Sequence, residues 1–217
     1  MQKQTRFCVY AGLTAALSYT IAKLTVFPLF AAAPYLKMHF GEVPLLLVML
    51  LGPWKLAVCA LLVKEALSFF ISGSNIFGLF SDFVLVGAWL ITARLVVGAS
   101  KAPDSGKSVL LGTLAGAAVR MLLSVPVNLL VLWLQFGTPA DAVMLTMPYI
   151  FAFNLIKTLL SGACVALLYK RAGSALSEYL SKAAGGEGWA GVFGARRKAG
   201  IRCAMDEMRH GKENVLQ

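Results

Sequence analysis

The stretch YIFAFNLIKTLLSG, residues 149–162, places Asn154 and Lys157 in the middle of an otherwise apolar run. A lysine near the centre of a membrane helix costs about 2.5 to 3.5 kcal/mol on insertion scales, so it needs a compensating environment. Residues three positions apart lie on one face of a helix. The stretch therefore predicts a helix in a membrane bundle, with its polar face turned toward the protein interior.

The composition of the whole chain is that of an integral membrane protein. Of 217 residues, 59% are hydrophobic and only 14% are charged, with a mean hydropathy of +0.75. The formal net charge of +10 does not indicate nucleic-acid binding, because the basic residues are spread over short connections and a C-terminal tail, as in other membrane proteins. The four cysteines lie far apart and predict neither a disulfide framework nor a metal site.

Six apolar runs, separated by glycine, proline and charged residues, predict an all-α membrane protein: a compact bundle of six transmembrane helices. The second run has only ten residues, about 15 Å of helix, so it and the preceding loop are predicted to line and cover a cavity. An alternative for the first run is a secretory signal, but the run exceeds the usual core of about 7 to 15 residues. The runs lie at 7–29, 43–52, 54–72, 76–98, 108–135 and 146–169.

The positions of the basic residues predict the topology. With the N-terminus inside, the outer connections hold only Lys37, and the other basic residues outside the runs fall on the inner side. We therefore expect a multi-pass protein of the plasma membrane with both termini cytoplasmic and an ordered outer loop between helices 1 and 2. Residues 1–171 form the predicted six-helix domain, and 172–217 a cytoplasmic, partly flexible basic tail.

Polar residues recur at helical spacing in three of the runs, and Asp82 lies in a fourth. Glu65 is predicted to point away from the stripe that contains Lys64. Interhelical hydrogen bonding alone explains a single Ser or Asn, but three stripes that include lysines favour a shared interior cavity. Their amide, hydroxyl and ammonium groups suit a small neutral or weakly anionic molecule. The stripes are Lys64, Ser68 and Ser72; Arg120, Ser124 and Asn128; and Asn154, Lys157 and Ser161.

No pattern in the sequence indicates catalysis. Gly106-Lys107-Ser108 matches the end of a phosphate-binding loop, but Lys101 stands where its first glycine is required. His39 and His210 have no partners at the spacing of a metal site or a nucleophile. We therefore predict a protein that is not an enzyme, with no catalytic and no metal-binding residues.

The first run carries two overlapping patterns of small residues, Ala11 with Ala15 and Gly12 with Ala16. Small residues four positions apart let another helix approach closely. Packing within the chain and docking onto another protein explain such a pattern equally well.

Three stretches resemble the riboflavin-specific substrate-binding subunits, or S components, of energy-coupling factor (ECF) vitamin importers. They are YLKMHFGEVPLLLVMLLGPWKLAVCALLVKEAL at 35–67, SVPVNLLVLWL at 124–134 and FNLIKTLLSGACVALLYKR at 153–171. The resemblance implies a six-helix bundle with a vitamin site near the outer face, under the loop between helices 1 and 2. It also implies that Ala11 and Ala15 dock onto a transmembrane coupling (T) subunit, which is driven by two cytoplasmic ATPases.

Carried over residue by residue, the binding groups of these proteins fall on Asn128, Asn154 and Lys157, under the loop around Leu36, Lys37 and Phe40. Lys64 and Asp82 are further predicted contacts. The sequence departs from the usual pattern at Lys64-Glu65, His39 and Asp82, which leaves open whether riboflavin, FMN or another vitamin is bound.

The predicted function is capture of riboflavin or FMN from outside, with the vitamin as transported ligand and no cofactor. The alternative is a self-sufficient secondary transporter or channel for another small molecule, in which Lys64, Glu65, Asp82 and Arg120 form a charge relay. A membrane enzyme, the third possibility, would need a reactive constellation that the sequence lacks.

Overall fold

The computed structural model describes residues 2–31, 36–100, 105–137 and 139–183, and these residues form six helices and one pair of two-residue strands. The prediction of a six-helix, all-α fold is thereby confirmed, apart from the short antiparallel strand pair. The helices are α1 Gln2–Leu24, α2 Glu42–Leu51, α3 Trp54–Ser72, α4 Ile76–Ala99, α5 Gly106–Phe136 and α6 Ala140–Ala183; the strands are β1 Phe27–Pro28 and β2 Lys37–Met38.

Local capping fixes several helix ends close to the predicted positions. The side chain of Asn75 accepts a hydrogen bond from the backbone N–H of Phe77 (2.9 Å) at the start of α4, and Ser105 caps α5 in the same way. Gly73 and Gly137, which end α3 and α5, have φ values of 58° and 62°, a left-handed conformation that glycine adopts without steric cost.

The first helix begins and ends five residues earlier than the predicted run 7–29. The run was expected to remain helical to Leu29, but α1 ends at Leu24 and the chain enters β1. Pro28 has no backbone N–H for a helix and disfavours the helical conformation at Phe27. We call the end of the bundle where α1 ends and α4 begins the loop end.

Four helices, α1, α4, α5 and α6, are long and apolar enough to cross a membrane. The protein is therefore a multi-pass membrane protein, while the count of six spans stays a prediction. Helix α3 has 19 residues but carries Lys55, Lys64 and Glu65, and α2 has only 10 residues.

The short helix α2 lies at the centre of the bundle, with all ten of its residues buried. Arg94 of α4 donates from Nη1 to the carbonyl oxygens of Met49 (2.5 Å) and Gly52 (2.7 Å) at the carboxyl end of α2. A cation there satisfies carbonyls that have no partner within the helix and opposes the negative end of the helix dipole.

The small residues of α1 pack inside the protein, which corrects the predicted docking face. Ala11 and Ala15 are 2% and 0% exposed and belong to one core cluster with Ala57 and Ala60 of α3. They are therefore not available to a partner protein. A Cβ added at Gly12 meets nothing within 4 Å, and Ala16 is exposed, so the second small-residue pattern faces outward.

Helix α6 continues past the predicted domain boundary at residue 171 to Ala183. Leu180 is 3% exposed and belongs to the core cluster around α2, near Gly52. The last turns of α6 thus cover the carboxyl end of α2. The rest of the predicted tail, 184–217, lies outside the described residues.

Candidate functional site

Six charged side chains from five helices meet inside the bundle. None is more than 19% exposed. We call them the buried charge cluster: Glu42 (α2), Lys64 and Glu65 (α3), Asp82 (α4), Arg120 (α5) and Lys157 (α6). The cluster therefore contains the charged residue of each of the three predicted polar stripes.

Glu42 is the centre of one half of the cluster. Its Oε2 accepts from Nη1 of Arg120 (2.7 Å) and its Oε1 from Nη2 of the same guanidinium (3.2 Å). Nζ of Lys157 lies 2.6 Å from Oε1. Glu42 opens α2, where the positive end of the helix dipole also favours a carboxylate. The carboxylate of Glu42 thus pairs with two cations and also interacts favourably with the amino end of α2.

Lys64 is the centre of the other half. Its Nζ lies 2.7 Å from Oε1 of Glu65 and 2.6 Å from Oδ2 of Asp82. The prediction that Glu65 points away from this stripe is wrong, because the flexible stem of Lys64 lets its ammonium reach the neighbouring residue. Oδ1 of Asp82 lies 3.6 Å from Nζ of Lys157 and joins the two halves.

Asn154 extends the cluster along α6. Its Oδ1 accepts from Nε of Arg120 (3.0 Å), and its Nδ2 donates to the carbonyl of Ile150 (3.0 Å). The side-chain amide therefore already has both a donor and an acceptor in use, with one N–H and one lone pair left over.

The formal charges of the cluster cancel, since three cations face three carboxylates. Taking such charges out of water costs several kcal/mol per ion unless each is paired and hydrogen-bonded. The pairing answers the question posed by Lys157 in an apolar run: Glu42 and Asp82, on two other helices, offset its charge.

His39 lies next to the cluster, with Nε2 3.3 Å from Nζ of Lys157. Burial and the adjacent Lys157 ammonium lower the pKa of His39 to about 3, so the ring is neutral. An ammonium can only donate, so Nε2 accepts and the ring proton lies on Nδ1. That atom is buried and has no hydrogen-bond partner among the described residues.

His39, Glu42 and Asp82 are the three residues here that could offer ligands to a metal ion, with one ligand atom from each within 4.8 Å of the others. Spacing along the sequence does not reveal this set, because the fold brings Asp82 next to His39 and Glu42. Arg120, Lys157 and Lys64 already pair with the two carboxylates, and this positive surrounding disfavours a further cation.

An apolar cluster lies beside the charges at the loop end. Side chains from α5 and from the loop before α2, among them Leu29, Phe30 and Phe40, pack against its buried members. We call it the loop-end apolar cluster, and its buried members are Leu36, Met38, Val143, Met147, Ile150 and Phe153. Apolar walls with a polar floor are the usual lining of a small-molecule site.

The loop between α1 and α2 is held at several points. Strand β1 pairs with β2, with Phe27 opposite Met38, and the backbone N–H of Phe40 donates to the hydroxyl of Thr25 (3.0 Å). The hydroxyl of Ser18 donates to the carbonyl of Gly41. Residues 32–35 of this loop lie outside the described residues.

The predicted site residues separate into three groups. Lys64, Asp82, Asn154 and Lys157 meet in or beside the charge cluster, and Leu36 and Phe40 join the loop-end apolar cluster. Asn128 is partly buried and donates to the carbonyl of Ser124 (2.7 Å); it shares a face of α5 with Val125 and Leu132, which pack on the apolar cluster. Lys37 is exposed and joins neither cluster.

Sequence reasoning missed Glu42 as a site residue and gave Arg120 no role in binding. A usable signal existed: a lysine and an arginine within apolar runs require buried anions, and Glu42 borders such a run. Its place two residues before Pro44 indicates only the start of a helix.

The chain has the fold of the S component of a bacterial ECF transporter. A solved structure of such a subunit superposes with a TM-score of 0.70 at 24% identity, covering 80% of this chain and 98% of that one. ThiT from Listeria monocytogenes superposes with a TM-score of 0.58 at 16% identity, covering 79% and 97%.

Among curated proteins, the chain is similar to the riboflavin transporter RibU of Streptococcus thermophilus. The two are 27% identical over 179 residues, which cover 76% of this chain and 82% of RibU. No family model matches the chain. The resemblance seen in the sequence is thus confirmed, and these relatives are transport proteins, in agreement with the prediction of a protein that is neither an enzyme nor dependent on a cofactor.

Proposed function

We propose that the protein is the substrate-binding subunit of an ECF importer and captures riboflavin at the loop end of the bundle. The observation that supports this most is the apposition of the loop-end apolar cluster and the buried charge cluster beneath the loop before α2. Flat ring systems with carbonyl edges fit such a site, since the rings bury apolar area while Asn128, Asn154 and Lys157 donate to the edge. Similarity to RibU supports the choice of vitamin.

A secondary transporter remains the second candidate, because the residues of the predicted charge relay are linked. Ion pairs run from Glu65 through Lys64 and Asp82 to Lys157, and onward through Glu42 to Arg120. The ion pairs join side chains of different helices rather than residues along one helix, which suits a structural cluster better than a transmembrane path. Uptake into liposomes without any ATPase, driven by an ion gradient, would favour this candidate.

The riboflavin proposal is tested by titrating the protein, purified from cells grown without added vitamin, with riboflavin while recording tryptophan and flavin fluorescence. Lys157→Met should weaken binding by about 1.5 to 3 kcal/mol, because a buried charged donor is lost. Lys37→Met, the same change at an exposed position of the loop, should leave affinity unchanged.

Three outcomes would count against this proposal. They are the absence of quenching with the unmodified protein, equal affinity for Lys157→Met and the unmodified protein, or an equal loss in both lysine variants. Thermal unfolding of each variant without ligand separates a loss of contact from a loss of folded protein.

We further propose that both termini are cytoplasmic and that α1 docks onto the coupling subunit through its outward face, at Gly12 and Ala16 rather than at Ala11 and Ala15. Ala16→Leu should lower recovery of the coupling subunit and ATPases in co-purification several-fold, because a bulky side chain keeps the helices apart. Ala118→Leu places the same change on an exposed position of α5 and should not lower it. Equal recovery with both variants would remove α1 from the interface.

A further inference from the structure

Glu42 occupies a position that its sequence context does not suggest. It is fully buried, and both of its oxygens are held by cations, Arg120 at 2.7 Å and Lys157 at 2.6 Å. Of the three N–H groups of Lys157, one points to Glu42 and one to His39. At most one remains for a ligand, so the ammonium reaches the site as one half of an ion pair and not as an unpaired cation.

The charge of the site follows from this pairing. Lys64, Arg120 and Lys157 face Glu42, Glu65 and Asp82, and His39 adds no charge because its ring is neutral. A neutral ligand leaves this balance as it is. A phosphorylated ligand brings about −1.5 to −2 charges at neutral pH, and within the buried charge cluster every cation is already paired with a carboxylate.

We infer that Glu42 is a specificity-determining residue: by pairing with Arg120 and Lys157 it makes the site select a neutral ligand over the phosphate ester of the same ring system. This inference rests on the proposed function and narrows it from flavins in general to riboflavin over FMN. Lys157 and Asn154 would by themselves accept either ligand, because donors to a carbonyl edge do not distinguish the two.

The test compares the dissociation constants of riboflavin and FMN for each protein by fluorescence titration. Both ligands share the ring system, so their ratio cancels any general damage to the site. The unmodified protein should bind riboflavin more tightly. Glu42→Gln keeps the shape of the side chain and removes one negative charge, so Arg120 and Lys157 gain a net positive charge that attracts the phosphate of FMN. The ratio should shift toward FMN by about tenfold or more, because opposite charges within about 10 Å interact strongly in partly buried surroundings.

Asp141→Asn is the matched control. It removes the same charge from an exposed position in the first turn of α6 and should leave the ratio unchanged. The inference is overturned if the unmodified protein binds FMN as tightly as riboflavin, if Glu42→Gln leaves the ratio unchanged, or if the control shifts it equally.

A second variant keeps the test decisive where Glu42→Gln does not fold. Asp82→Asn also removes one negative charge beside Lys157, at 3.6 Å, and should move the ratio in the same direction. If the unmodified protein binds neither flavin, the proposed function itself fails. If it binds riboflavin and both variants keep its selectivity, only the role of Glu42 fails.

Discussion

Replacing Arg120 by Met is expected to lower the free energy of unfolding by about 3 to 5 kcal/mol, the cost of removing one partner from a buried ion pair. The guanidinium makes two bonds to Glu42 and one to Asn154, and its carbon lies 5.7 Å from the ring centroid of Trp89. Met fills a similar volume but leaves Glu42 with Lys157 alone. Unfolding in mixed detergent and SDS micelles, followed by tryptophan fluorescence, measures the loss.

Two further variants identify the cause of this loss. Arg120→Lys keeps the charge but cannot reproduce the planar fork, so part of the loss should remain. Adding Glu42→Gln to Arg120→Met removes the carboxylate that lost its partner and should recover part of the stability. Arg6→Met, at an exposed position of α1, is the control and should change little. Strictly additive effects of Arg120→Met and Glu42→Gln would show that the pair does not act as a unit.

The helices themselves were largely predictable, since the limits of α3 and α4 follow from Pro53, Gly73 and the capping residue Asn75. These signals are local, and local signals do not depend on how the helices pack. The end of α1 was missed because hydropathy outweighed the effect of Pro28. Helix α6 continues to Ala183, past residue 171 where the predicted domain ended, and its Leu180 packs into the core around α2.

The face of α1 that packs inward could not be predicted. The two small-residue patterns, at Ala11 and at Gly12, differ by one position, or about 100° around the helix. Both patterns permit close approach of a neighbouring helix. Only the position of α3 decides between them, and it buries Ala11 and Ala15.

The ion-pair partners within the buried charge cluster could not be predicted from the sequence either. Spacing along a helix shows that Lys64 or Lys157 faces the interior, but the partner of each comes from another helix or from a neighbouring residue. Glu42 lies 78 positions from Arg120, and nothing local connects them. Cations buried in an apolar bundle require anionic partners, and the packing of the helices decides which carboxylates these are.

Replacing Lys64 by Met is expected to cost a similar amount, about 3 to 5 kcal/mol, for a different reason. The ammonium separates two carboxylates, Glu65 at 2.7 Å and Asp82 at 2.6 Å. Without it, Asp82 keeps Lys157 at 3.6 Å, but Glu65 has no other ion-pair partner among the described residues. Unfolding in SDS again measures the loss, and Lys55→Met, at an exposed position of the same helix, should change little.

The second carboxylate then shows whether charge is the cause. In Lys64→Met combined with Glu65→Gln, the unpaired anion is gone, so the double variant should be more stable than Lys64→Met alone, since removing both members of a pair costs less than removing one. Adding Asp82→Asn instead should help less, because Asp82 retains Lys157 and its loss would leave that cation with Glu42 only. If both added substitutions recover the same free energy of unfolding, Glu65 and Asp82 depend equally on Lys64, against the expectation. If neither recovers any, Lys64 stabilises the bundle through packing rather than charge.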